Sequence, residues 1–173
     1  MCAGSFDDQR RLVLCDASPL IFLAKLDRLE LIAKVTGRPL VVLDGVVRKV
    51  LSDRAGPVEQ QRLQSWVYGV DVVHHAGALV SSDALSESDR ATLAWAVENE
   101  AEWLLADERL LRRVAQSYGI KVMGFCGILI QAAKRGLLSP EEARECVDTA
   151  IRDYGCRLSV EVYQKIRMHL DAS

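Results

Sequence analysis

Short apolar runs alternate along this chain with segments whose apolar residues recur at three- and four-residue spacing. RLVLC, from Arg11 to Cys15, reads as a short strand. Ser18 and Pro19 then supply an N-cap and a first helical position for a helix over Pro19 to Leu26, and a second helix covers Arg28 to Val35. LVVL, Leu40 to Leu43, is the next strand, followed by a helix over Val46 to Ser52 and an amphipathic stretch from Pro57 to Val67. The β-branched run Val70 to His74 predicts a third strand.

Ser86, with Asp89 three residues on, has capping-box spacing and opens a helix to Asn99. WLL, inside Glu102 to Ala106, is a short buried strand, and Asp107 is placed to cap a helix that Gly119 ends. Ile120 to Met123 is a further strand, and Cys126 to Arg135 a helix stopped by Gly136. Ser139, Pro140, Glu141 and Glu142 form a helix start. That helix sets Ala143, Cys146, Val147, Ala150, Ile151 and Tyr154 on one apolar face before Gly155 ends it. The last helix, from Val160, is expected to bury Val162, Tyr163, Ile166 and Leu170.

Strands separated by helices mean βαβ units, hence an α/β fold with a short-stranded, mainly parallel sheet covered on both faces. The two closing helices, over 139–170, form a helical hairpin appended to it. The pattern fits a single domain over 1–173 with a flexible N-terminus at 1–10.

Composition narrows the function. Half of the 173 residues are apolar, and 22 Lys and Arg stand against 24 Asp and Glu. Disorder needs low hydrophobicity and high net charge, so it is excluded. Binding of nucleic acid by global charge alone is excluded too, although a local basic face is not. No apolar run reaches the roughly 18 residues of a membrane span, and Asp7 and Asp8 rule against a signal peptide, so a cytoplasmic location is expected. The five cysteines have no CxxC spacing and read as reduced thiols, and the adjacent His74 and His75 are poorly placed to chelate one ion.

In open parallel sheets ligands bind at the carboxyl ends of the strands. Asp16 follows the first strand, Asp107 and Glu108 follow WLLA, and Asp89 lies in the first turn of the helix after the third strand. Carboxylates brought together repel and raise one another's pKa, and a hard divalent cation offsets that charge. Metal-assisted phosphodiester hydrolysis suits such a cluster. Each acid also has a structural reading: Asp107 as an N-cap, Asp89 as a charge favourable to the helix dipole, Asp16 as an Asx-turn. The flanking cations Arg90, Arg109, Arg112, Arg113, Lys134 and Arg135 could hold phosphates or form a solvated face.

DASPLIFLAKL (16–26), VVLDGVVRKV (41–50), LSESDRATLAWA (85–96), LLADERLLRRVA (104–115) and GIKVMGFCGILIQAAKRGLL (119–138), in this order, resemble PIN-domain proteins, in particular the bacterial and archaeal branch of VapC-like nucleases. The resemblance implies a three-layer PIN-like fold, an acidic cluster holding Mg²⁺ or Mn²⁺, RNA as substrate, and, for many relatives, a toxin paired with an antitoxin protein. Carried over by motif, Asp16, Asp89 and Asp107 are the catalytic and metal-binding acids and Glu108 a further metal ligand. Ser18 and Arg112 are the substrate-contacting residues. Two positions depart from the family pattern. Lys49 stands where a P-x-x-V-x-x-E pattern has its Glu, with Leu43 in place of the Pro, and Phe125 stands where a Thr is usual. Asp44 and Asp53 are nearby acids, but neither takes the place of that Glu. Exchange of an acid for Lys49 keeps a second expectation alive: a catalytically degenerate scaffold that binds RNA or a protein. The closing helices pack within the monomer or form a dimer seam, and a homodimer is the expectation.

Overall fold

The computed structural model describes residues 12–52, 56–75, 77 and 80–172. The expected flexible N-terminus and Asp53 lie outside the described residues. The elements run β1 (Val13–Cys15), α1 (Ala17–Lys25), α2 (Glu30–Thr36), β2 (Leu40–Leu43), α3 (Asp44–Val50), α4 (Pro57–Val67), β3 (Asp71–Val73), α5 (Glu87–Glu98), β4 (Trp103–Leu105), α6 (Arg109–Ser117), β5 (Lys121–Met123), α7 (Phe125–Lys134), α8 (Pro140–Tyr154) and α9 (Val160–Asp171). The five strands form one sheet in the order β3-β2-β1-β4-β5, and every pairing is parallel.

Strand burial follows position. β1 and β2 are buried at every residue, whereas the edge strands β3 and β5 are largely open to solvent. This is why the central runs VLC and LVVL read as continuous apolar stretches while DVV and KVM do not.

The chain steps from β1 to β2 to β3 in one direction, then returns across the sheet to β4 and steps on to β5. Right-handed crossovers therefore put α1 to α4 on one face and α5 and α6 on the other. The packing agrees: α1 meets α3, α4 and α7, α2 meets α7, and α5 meets α6. Among the described residues, α8 and α9 pack on each other and on α7, which makes the expected hairpin an outer wall of the first face.

Several local expectations are corrected. α1 begins at Ala17 with Asp16 at the N-cap, so Ser18 and Pro19 lie inside the helix rather than at its start. Glu108, not Asp107, caps α6, its Oε2 accepting from Leu111 N at 2.6 Å. α3 begins at Asp44, directly after β2. In the hairpin, Ala143, Cys146, Val147, Ala150, Ile166 and Leu170 are buried as expected, but Val162 and Ile151 are exposed and Tyr154 and Tyr163 half-buried. Two helices that cover a face only partly cannot bury all of their apolar stripes. Trp103, expected in the strand core, is half-buried with Lys121 Nζ over its ring, 5.5 Å from the centroid.

Candidate active site

The strand order reverses between β1 and β4, so the crevice of the sheet opens at their carboxyl ends. Asp16 and Asp107 stand there. Two hydrogen bonds extend the ladder past the strand ends and fix both acids: Asp16 N donates to Leu105 O at 2.9 Å, and Ala106 N donates to Met123 O at 2.9 Å.

Asp16 is buried, with 2% of its surface exposed, and its Oδ1 has no hydrogen-bond partner. Burial raises its pKa; the Ala17 N–H and the Lys49 ammonium pull it down, and the charges of Asp89 and Glu108 push it up again. Asp107 is half-buried. Its Oδ1 accepts from Phe125 N at 2.8 Å, and its Oδ2 is buried without a partner. Burial pushes its pKa up to about 6; the Phe125 N–H and the Arg112 guanidinium oppose this, and the charge of Asp16 adds to it.

Gly124 makes this arrangement possible. A Cβ at that position would lie 2.5 Å from Asp107 Oδ1 and 3.4 Å from an Arg112 guanidinium nitrogen. The start of α7 thus closes over the Asp107 carboxylate and Arg112 together. Phe125, the first residue of α7, is buried and packs its ring 5.2 Å from that of Phe22. The large side chain at this departure from the family pattern fills the space behind the backbone N–H that holds Asp107. A cavity of about 330 Å³ borders Asp107 and Arg112, and Cys126 and Cys156 line it.

The sequence-predicted residues divide as follows. The charge of Asp16 raises the pKa of Asp107, and the charge of Arg112 lowers it. Asp89, half-buried, has its backbone N–H bonded to Ser86 Oγ at 3.2 Å, and its charge acts on Asp16. Glu108 is exposed and spends Oε2 on its own helix, although its charge also acts on Asp16. Ser18 is half-buried in the first turn of α1, two residues from Asp16. Lys49 is exposed on α3, and its charge stabilises ionised Asp16.

A divalent cation fits this chemistry in a limited way. No three His, Cys, Asp or Glu side chains among the described residues converge on one metal position. Two buried acids with an orphaned oxygen each do stand at the crevice. Mg²⁺ is commonly held by one or two carboxylates, with water in its remaining positions.

Sequence reasoning missed a second constellation at the same sheet edge. Asp44 Oδ2 accepts from Arg48 Nη1 at 3.0 Å and lies 2.9 Å from His74 Nδ1, and the His74 bond holds the Asp44 carboxyl below its usual range. Asp44 directly follows β2 and His74 directly follows β3, so the strand-end rule that picked out Asp16 and Asp107 points to them as well. His75, by contrast, turns its Nδ1 to within 3.7 Å of Glu98, so the two histidines serve different partners.

A parallel α/β sheet with Asp16 and Asp107 at its topological switch point defines the class: an α/β domain of the kind whose ligands bind at the carboxyl ends of the strands. A family profile described as a PIN domain matches residues 12–172, and the chain belongs to the PIN-domain family. Its fold is similar to that of a PilT N-terminus domain protein from the hyperthermophilic archaeon Sulfolobus solfataricus P2, at TM-score 0.52 and 14% identity over 68% of this chain and 89% of that one. No functionally curated protein matches the chain. PIN domains are generally metal-dependent nucleases.

Proposed function

We propose that this protein is a metal-dependent endoribonuclease that hydrolyses RNA phosphodiesters at the carboxyl edge of its sheet. The observation that carries this reading is the pair of buried, orphaned carboxylate oxygens, Asp16 Oδ1 and Asp107 Oδ2, at the switch point of a PIN-family sheet. Asp16 and Asp107 would hold Mg²⁺ or Mn²⁺, and Asp89 and Glu108 add negative field around it. When bound, the ion supplies neutralisation of phosphate charge and an acidified water as nucleophile. The charge of Arg112 favours ionised Asp107, and the Phe125 N–H donates to the same carboxylate. Ser18, at the mouth of α1, contacts substrate. The exclusion of solvent around Asp16 strengthens each of these charge interactions.

The toxin role and an antitoxin partner follow from the resemblance to VapC-like nucleases, as does action in the cytoplasm. No helix among the described residues is long and apolar enough to cross a membrane.

The test is Mn²⁺ titration by calorimetry with RNA cleavage assays, on wild type and Asp16→Asn. Saturable binding and cleavage in the wild type, both lost in the variant, are expected. Inactivity on diverse RNAs with Mn²⁺, together with an Asp16→Asn variant indistinguishable from wild type, sinks the proposal.

One observation favours a second reading, a degenerate scaffold that binds RNA or protein without cleaving it: the Lys49 ammonium already compensates Asp16. Lys49→Glu separates the two. A gain of Mn²⁺ affinity and cleavage over an inert wild type supports the scaffold; an active wild type that the substitution leaves active removes it.

A further inference from the structure

α3 and α5 each present consecutive residues to two different places. Lys49 and Asp89 act on Asp16. Their immediate neighbours Arg48 and Ser88 line a separate cavity of about 590 Å³ between the ends of β2 and β3 and the first turns of α5. Consecutive helical residues lie 3.8 Å apart at Cα and turn about 100° from one another, so this cavity and the acid site share two walls.

The cavity combines an apolar lining with polar groups at its rim. Leu43, Val46 and Ala91 provide apolar lining. Arg48 and His74 stand at its rim with side chains 72% and 69% exposed, both tied to one carboxylate, Asp44. That shared anchor holds two donors in place and leaves further Arg48 N–H groups and His74 Nε2 for a ligand. In the wall, Thr92 Oγ1 and His75 Nε2 are buried and lack any partner, and the His75 side chain is only 5% exposed. A buried polar atom without a partner is costly, and a ligand supplying the missing hydrogen bond would offset that cost. Asp44 and Glu87 set two negative charges against Arg48, so the cavity does not favour a bare anion.

We infer that this cavity is a nucleotide subsite: it seats one nucleotide of an RNA strand, base against the apolar lining and phosphate toward Arg48 and His74, next to the phosphodiester over Asp16 and Asp107. The inference rests on the ribonuclease reading of the acid site. It makes the cavity the place where this protein reads sequence, since a base that completes the hydrogen bonds of Thr92 and His75 is bound in preference to one that does not.

The experiment is an NMR titration of metal-free protein in EDTA with AMP, GMP, CMP and UMP, and with inorganic phosphate. Wild type, the double variant Arg48→Gln/His74→Gln, Thr92→Val and Asp107→Asn are compared. Arg48 and His74 are exposed, so the double variant leaves the fold intact. Saturable binding is expected for at least one nucleotide, with shifts at Val46 and Ala91. Affinity should fall at least tenfold in the double variant, preference among the four bases should narrow in Thr92→Val, and Asp107→Asn should bind as wild type does. Absence of saturable binding, equal affinity in the double variant, or inorganic phosphate binding as tightly as the nucleotides overturns the inference. Mn²⁺-dependent cleavage is read separately. A protein that binds nucleotides through Arg48 and His74 yet leaves RNA intact keeps the subsite and loses the nuclease reading; one that cleaves RNA without such binding does the reverse.

Discussion

Asp107 stands between opposing demands. The Phe125 N–H and Arg112 favour its charge, while burial and the neighbouring Asp16 drive its pKa up to about 6. Its folded value lies above the ordinary 3.8, so the folded state binds the proton more tightly. That contribution to stability is complete below about pH 4 and lost as pH rises through about 6. In metal-free protein at pH 7.5 the ionised carboxylate therefore costs about 3 kcal/mol. Asp107→Asn keeps an acceptor for the Phe125 N–H and sheds the charge. We expect a higher Tm than wild type at pH 7.5, with the gap closing toward pH 4, in thermal melts with EDTA. A gap independent of pH would show that burial of the charge is not what Asp107 contributes. The thiols behave in the same sense: burial raises Cys15, Cys126, Cys146 and Cys156, so iodoacetamide at pH 8 should label them slowly until the protein is denatured.

At the scale of elements, the site depends on where helices start. α1 and α7 both begin at residues in extended backbone conformation, Asp16 and Gly124, and the two starts converge on the acid pair. Gly124 has a negative φ that any residue adopts, so its requirement is space rather than conformation. Gly124→Ala drives a methyl group into the Asp107 carboxylate. A roughly 10–100-fold loss of Mn²⁺ affinity is expected, the range for disturbing the support of a metal ligand, with circular dichroism unchanged. Unaltered affinity would mean that the start of α7 has no part in holding Asp107.

For the whole molecule, the C-terminal hairpin closes one face of the fold. α8 and α9 bury one stripe on α7 and leave Ile151, Val160, Val162 and Met168 exposed. We propose that Val160 and Met168 take part in the seam of the expected homodimer, since exposed apolar side chains can serve association. Light scattering should give a dimer for wild type and a monomer for Val160→Glu/Met168→Glu. A monomeric wild type at micromolar concentration removes the dimer.

The sequence by itself determined the α/β class, the order of the elements and the places of Asp16 and Asp107 after their strands, because each of these is written in local periodicity, caps and position after an apolar run. Ser86 and Ser139 were legible as caps for the same reason, and both accept the hydrogen bonds expected of them. Only the tertiary structure decided what depends on distant parts of the chain. Asp107 lost the role of cap to Glu108 because a backbone N–H 18 residues on, Phe125, lies within 2.8 Å of it. The Asp44–His74 pair spans 30 residues and appears only once β2 and β3 lie side by side. Which apolar stripe of the hairpin meets α7 and which meets water was likewise set by packing. Local chemistry chooses the elements, whereas burial and the pairing of charges depend on the neighbours that the sheet order brings together.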